Sequence, residues 1–304
     1  MKAKATAISA ETMNADRIID SIMEAETLLR DARITDIPRL EAEILLAGTL
    51  GIGRSRLIAS YFDDLGGPER NEYLSLVMRR TRGEPIAYIT GEKEFMGFAF
   101  HVDPRALIPR PETETLVEQV LATVRADKCG NARILDIGTG CGCIAVSLAL
   151  LIPAASIHAT DVSAGAIELA RRNAGRHRVG ARISFHVGDL YSALPESLKN
   201  SFDLIVSNPP YVSDTEYQSL DKTVREFEPS IALRGGNDGL DVFRALVARA
   251  SDYLDHHGWL AIEIGEHQSD NAAEILERTD SFSATRLVRD LTGRQRVIMG
   301  MKTE

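Results

Sequence analysis

The stretch SNPPYVS, residues 207–213, follows the apolar run FDLIV and holds the side chains best suited to chemistry. FDLIV reads as a buried strand, so Asn208 stands where the chain leaves a sheet, and Pro209 and Pro210 remove two backbone donors there. Pro209 also pushes Asn208 away from helical geometry, and two fixed φ angles stiffen the turn. The expected result is a rigid polar clamp, with the Asn208 side-chain carbonyl and the Pro209 backbone carbonyl aimed at one point. Such a pair of acceptors suits a planar NH2 group. An amide or exocyclic amine is a poor nucleophile because its lone pair is delocalised. Accepting both hydrogens orients the nitrogen and stabilises the positive charge that develops as it is alkylated. Tyr211 can pack against the planar group, and no strong base is needed at the start, since the proton becomes acidic as the new bond forms. Asn-Pro is otherwise a common turn dipeptide, so the position of this one matters.

A second cluster lies upstream. ILDIGTGCGCIA places Gly138, Gly140 and Gly142, with Thr139 and Cys141 between them, directly after a strand and before a helix. Residues without a Cβ let backbone approach a ligand closely and let the helix N-terminus face it. The spacing is GxGxG; the dinucleotide fingerprint needs its third glycine one residue later, where Cys143 stands, so the loop fits NAD less well. Asp161 ends the next strand, SIHATD, where its carboxylate can accept both hydroxyls of a ribose. Asp189, after ISFHVG, can accept from an adenine amino group, with Leu190 against the ring. The sum is a nucleoside pocket with no phosphate cradle.

These residues need a scaffold, and the pattern supplies one. Residues 1–83 read as helices with short breaks: Ile18, Ile22 and Leu29 share a face, Asp36 is an N-cap candidate with Pro38 in the first turn, and Leu74, Val77 and Met78 repeat the i, i+3, i+4 spacing. Residues 84–110 form a linker in which FMGFAFHV alternates at Phe98, Phe100 and Val102 about a turn at Gly97, a β-hairpin signal. Residues 111–304 begin with a helix whose first turn holds Pro111, Glu112 and Glu114, then alternate strand and helix through RILDI, SIHAT, ISFHV, FDLIV and GWLAIEI. That alternation specifies an α/β, doubly wound and mostly parallel sheet. ATRLVRDLTGRQRVIMGM closes one edge as an antiparallel hairpin turning at Thr292-Gly293.

Composition narrows the function classes. The chain has 304 residues, a net charge of −9 and three cysteines. Residues 1–83 carry only −1 of that charge, so no basic domain hides behind an acidic one, and nucleic-acid binding by bulk electrostatics is not expected. Cys129, Cys141 and Cys143 have no spacing suited to a metal or an ordinary disulfide, and no metal site is expected. No apolar run reaches membrane-helix length, and the opening MKAKATAISAETMNADR lacks the apolar centre of a secretory signal. A cytoplasmic protein is expected.

GTGCG, Asp161 and NPPY together resemble the class I S-adenosylmethionine-dependent methyltransferases that act on a planar nitrogen. The helical start, GEPIAYITGEKEFMGFAF, LIPRPETETLV and GGNDGL extend the likeness over nearly the whole chain, which is similar to the peptide chain release factor N5-glutamine methyltransferases of the PrmC/HemK family. The resemblance implies a seven-stranded sheet and methylation of the glutamine side-chain amide in the GGQ motif of class 1 release factors. It also implies that Gly138, Thr139, Gly140, Cys141, Gly142, Asp161, Asp189, Leu190 and Asn208 hold S-adenosyl-L-methionine, and that Asn208, Pro209, Pro210 and Tyr211 hold the glutamine. Position 141 is Cys, whereas Thr or Ser is commoner there in the family. Arg110 and Glu112 are either a contact to the methionine end of the cofactor or a hinge to the helical domain. A monomer is expected. Two other readings stand beside this one: an amino-methyltransferase acting on adenine or guanine of DNA or RNA, and a binding module that retains only a vestigial pocket.

Overall fold

The computed structural model describes residues 17–126 and 131–303; Cys129 and the opening segment read above lie wholly or mostly outside them. The chain forms two compact units, divided between Thr90 and Gly91.

The first unit comprises α1 (Ile18–Ala32), α2 (Pro38–Thr49), α3 (Arg54–Ala59), α4 (Gly67–Thr81) and α5 (Ile86–Thr90). Ile18, Ile22, Ala25 and Leu29 make one stripe on α1, buried with Leu45, Leu46, Tyr73 and Val77 in a single cluster. Two sequence expectations fail locally. Met78 is 44% exposed, and the α4 stripe runs through Tyr73 and Val77 with Leu74 at its edge. Asp36 does not cap α2: the N-cap position is Ile37, whose N–H is satisfied by Thr35 Oγ1 at 3.2 Å. Pro38 does open the helix. Buried among these helices, Arg80 donates to Glu41 from two nitrogens at 2.8 and 3.1 Å.

The second unit opens with a hairpin, β1 (Glu92–Phe95) and β2 (Phe98–His101), turned at Met96 and Gly97. A short 3-10 turn, Pro111–Thr113, leads into α6 (Glu114–Ala126), and Glu114 Oε1 accepts from Met96 N at 2.6 Å. The alternating part follows as β3 (Arg133–Ile137), α7 (Cys143–Leu151), β4 (Ser156–Asp161), α8 (Ala164–Arg176), β5 (Ile183–Val187) and β6 (Phe202–Ser207). After it come α9 (Asp214–Ser219), α10 (Lys222–Phe227), α11 (Asp241–Tyr253), β7 (Leu254–Glu263), α12 (Ser269–Glu277), β8 (Phe282–Arg289) and β9 (Gln295–Lys302).

The seven strands lie in the order β5-β4-β3-β6-β7-β9-β8. The first five are parallel, and β9 runs antiparallel to both β7 and β8. This is the mostly parallel sheet with a closing antiparallel hairpin that the sequence implies. Strands β4 and β5 extend the sheet to one side of β3, then the chain crosses to place β6 on the other. Open α/β sheets bind ligands in the crevice at such a reversal. Register finishes the placement: Ile137 pairs with both Thr160 and Ser207, and Ser207 with Ile262. The next residues along, Gly138, Asp161, Asn208 and Glu263, therefore leave the sheet side by side.

Replacing Glu41 with Ala would strand the buried Arg80 guanidinium. It should cost about 3–5 kcal/mol, read as a lower denaturant midpoint, whereas loss of the exposed Arg17–Asp20 pair should change little.

Candidate active site

Beyond β3 the glycine loop is fastened by the protein's own hydrogen bonds. Gly138 N and Thr139 N both donate to Thr160 O at 2.9 Å, and Thr139 Oγ1 donates to the buried Asp136 Oδ2 at 2.7 Å. Asp161, half-buried at the end of β4, links two loops: its Oδ2 accepts from Gly140 N and its Oδ1 from Ser163 N, both at 2.9 Å. Burial raises its pKa, and those two bonds partly offset the shift. Each oxygen keeps a second lone pair, which is what a vicinal diol requires. Gly188 N donates to Asp161 O at 2.9 Å and brings the end of β5 alongside, with Asp189 exposed and Leu190 half-buried.

A cavity of about 250 Å³ gathers Gly138, Thr139, Gly140, Cys141, Asp161, Asp189, Leu190, Asn208, Pro209 and Pro210 along its wall. Gly142 is the expected loop residue that does not border it. Its φ is +83°, and a Cβ there would sit 2.9 Å from Ala170 Cβ, so this glycine serves close packing of the loop against α8. Tyr211 instead borders a smaller hollow of about 40 Å³, shared with Arg110, Asn208 and Pro209. Cys141 is buried, and its backbone carbonyl accepts from Asn173 Nδ2 at 2.8 Å.

The NPPY turn is held from three sides. Asn208 Nδ2 donates to Thr113 Oγ1 at 3.0 Å, leaving Asn208 Oδ1 and the Pro209 carbonyl with no donor among the described residues. Tyr211 O accepts from Gln268 Nε2 at 2.9 Å, and Gln268 Oε1 accepts from Gly265 N at 2.8 Å. The segment GGNDGL lies behind: Gly235 N donates to Val212 O at 2.8 Å, and a Cβ on Gly235 would fall 2.6 Å from Pro210 O. At Gly239, with φ of +76°, a Cβ would fall 2.2 Å from Tyr211 O. Those glycines let two backbones lie in contact, which fixes where the two acceptors point.

Arg110 borders both hollows, whereas Glu112 is exposed and borders neither. Arg110 Nη2 donates to Glu228 Oε1 at 2.6 Å and Ile108 N to Glu228 Oε2 at 3.1 Å, so one buried carboxylate pins the LIPRP strap beside the cavity. Sequence reasoning missed Glu228, Gln268, Thr113 and Glu263. Only Glu263 left a signal, as an acid in the otherwise apolar strand GWLAIEI. Among the described residues, no three His, Cys, Asp or Glu side chains are grouped to hold a metal ion.

One acid under this floor responds to pH. Asp136 is fully buried, its Oδ1 has no hydrogen bond of full geometry among the described residues, and burial pushes its pKa up to about 7. The folded protein thus keeps a proton there that the unfolded chain releases near pH 4, so this contribution to stability declines as pH rises from there through about 7.

A model of the methyltransferase small domain matches residues 113–227, and one of the PrmC N-terminal domain matches residues 20–91. The release factor glutamine methyltransferase of Geobacter sulfurreducens is 43% identical over 265 residues, 86% of this chain and 89% of that protein. The corresponding protein of Koribacter versatilis is 40% identical over 272 residues, 90% of this chain and 94% of its own. A methyltransferase from Pyrococcus furiosus shares the fold, with a TM-score of 0.51 and 18% identity over 76% of this chain and 98% of its own.

Asp136→Asn should melt higher than the parent at pH 8, where the parent buries a charge, and close to it at pH 5. Gly239→Ala should destabilise by roughly 1–3 kcal/mol through strain against Tyr211 in chemical denaturation, while Gly48→Ala, with open space around it, should be neutral or stabilising.

Proposed function

Because the chain belongs to the release factor glutamine methyltransferase family, we propose that it transfers a methyl group from S-adenosyl-L-methionine to the side-chain amide nitrogen, N5, of a release-factor glutamine. The observation that carries the residue assignment is the pair of acceptors at Asn208 and Pro209, without a donor among the described residues and stiffened by two prolines. The finer substrate is the glutamine of the GGQ motif in class 1 release factors, a reading supported by the family resemblance. The helical unit is the candidate surface for recognising the factor. The enzyme acts as a monomer in the cytoplasm without binding nucleic acid; among the described residues no helix is long and apolar enough to cross a membrane.

The residues present fit the cofactor. A Cβ at Gly138 would meet nothing within 4 Å, so this loop leaves room for a ligand against its backbone. Asp161 offers acceptors to a ribose, Asp189 to an adenine amine, and Leu190 an apolar surface to the ring. When bound, S-adenosyl-L-methionine supplies an electrophilic methyl group on a sulfonium. All else falls to the chain.

Asn208 Oδ1 and the Pro209 carbonyl accept the two amide hydrogens, fixing the plane of the glutamine NH2 and the direction of its nitrogen. As the nitrogen gives up its amide resonance to form the new bond, positive charge grows on it and both hydrogen bonds strengthen. Proton loss then becomes easy without a dedicated base. Burial holds the Tyr211 phenol well above its ordinary pKa, so it remains a neutral wall of the amide subsite. An exocyclic amine of adenine or guanine could use the same acceptors, but family membership favours the carboxamide.

Mass spectrometry of a release factor incubated with enzyme and cofactor should show one added methyl on that glutamine. Asn208→Ala should retain cofactor affinity while slowing turnover by about 10²–10³; unchanged turnover would remove Asn208 from the role.

A further inference from the structure

At the carboxyl end of β7, Glu263 is 0% exposed, and the β6–β7 register sets it level with Asn208. Neither of its carboxylate oxygens has a hydrogen bond of full geometry among the described residues. A buried, unsatisfied acid is costly, and packing alone would favour an apolar side chain there. The groups that act on its charge are the hydroxyls of Thr113 and Tyr211, Arg296 from β9, and Glu112 from the turn before α6. Burial pushes Glu263 up to about 7, Glu112 adds to the shift, and Thr113, Arg296 and Tyr211 oppose it. Arg296 is itself spread between Asp290 Oδ2 and Ile264 O, each at 3.4 Å.

Thr113 bonds the clamp, and its hydroxyl is also one of the groups that hold the Glu263 pKa down. Its Oγ1 accepts from Asn208 Nδ2 at 3.0 Å, so its own hydrogen must be directed elsewhere. A threonine hydroxyl by itself cannot choose between the two orientations of an asparagine amide, because it donates as readily as it accepts. An ionised carboxylate only accepts. Placed beyond the hydroxyl, it fixes the sense of the whole chain of bonds. If the amide were reversed, Asn208 would present N–H groups to an incoming NH2, and the clamp would repel its substrate.

We propose that Glu263 is the positioning residue of the clamp: its carboxylate draws the Thr113 hydroxyl hydrogen inward, so that Thr113 Oγ1 can only accept from Asn208 and the Asn208 oxygen is held toward the incoming amide. The substrate named in this proposal rests on the glutamine reading above. Tyr211, whose phenol stays protonated, is a second hydroxyl that acts on the same carboxylate.

The test compares the parent with Glu263→Gln, Thr113→Val and Thr113→Ser. Three measurements are made: single-turnover methylation of a release factor across pH, calorimetric cofactor affinity, and hydrogen exchange of the Asn208 side-chain NH2 in the protein alone. In Glu263→Gln the transfer rate should fall at least about tenfold, while cofactor affinity is kept and the melting temperature does not fall. The melting temperature should rise at pH 8, because a buried charge is gone. Transfer by the parent should increase with pH through about 7, and that limb should vanish in Glu263→Gln. The Asn208 NH2 should exchange faster in Glu263→Gln. Thr113→Val should lose rate similarly, and Thr113→Ser should recover most of it. Parent-like rate, pH profile and exchange in Glu263→Gln would overturn the proposal, as would a rate loss matched by a fall in melting temperature or cofactor affinity. If the parent methylates no release factor, the glutamine reading fails, and the Asn208 exchange comparison still decides the orientation.

Discussion

The hydrogen bond from Asn208 Nδ2 to Thr113 Oγ1 is the interaction on which the site turns, because it decides which end of a small amide faces the cavity. A donor and an acceptor of nearly the same size occupy the two ends of that group, and shape cannot tell them apart. The choice is electrical, made by groups deeper in the protein. Two prolines then remove the backbone freedom that would blur the result, and Gly235 and Gly239 let a second backbone press against the turn. A rigid pair of open acceptors is expensive to leave unpaired. The fold meets that cost through the large apolar cluster under β6 and β7, where Phe202, Leu260 and Ile262 are almost wholly enclosed.

The same economy appears across the crevice. Asp161 fastens the glycine loop with one oxygen and the start of α8 with the other, so a residue assigned to a ligand is also a structural brace. Glu228 does this for the LIPRP strap. In both cases a carboxylate accepting from backbone N–H sets a loop in place through the protein's own bonds, Glu228 with the help of the Arg110 guanidinium, which spares a ligand part of the entropic cost of ordering it.

Much of this was legible from residue order because strand ends carry the chemistry of a doubly wound sheet. GTGCG, Asp161 and Asn208 each follow an apolar run, and their convergence needed only the topology that strand-helix alternation implies. What stayed hidden depends on contacts distant in sequence. Thr113 meets Asn208 from 95 positions away and Glu228 meets Ile108 from 120, and nothing local marks either. The packing of Gly142 against α8 stayed hidden for a different reason: a glycine that admits a neighbouring helix looks identical in sequence to one that admits a ligand. Asp36 and Met78 went astray because capping and burial are settled by tertiary packing, and Ile37 and Tyr73 took the places that local pattern assigned to them.

A pair of fixed acceptors also limits what the site can do next. A secondary amide has one hydrogen where the clamp provides two oxygens, and the carbon now on the nitrogen would face an oxygen built to meet a proton. On the proposed assignment the product would be a worse guest than the substrate, because of the same stiffness that aligned it. Its release would then be favoured, and a second alkylation of the same nitrogen discouraged, by geometry alone.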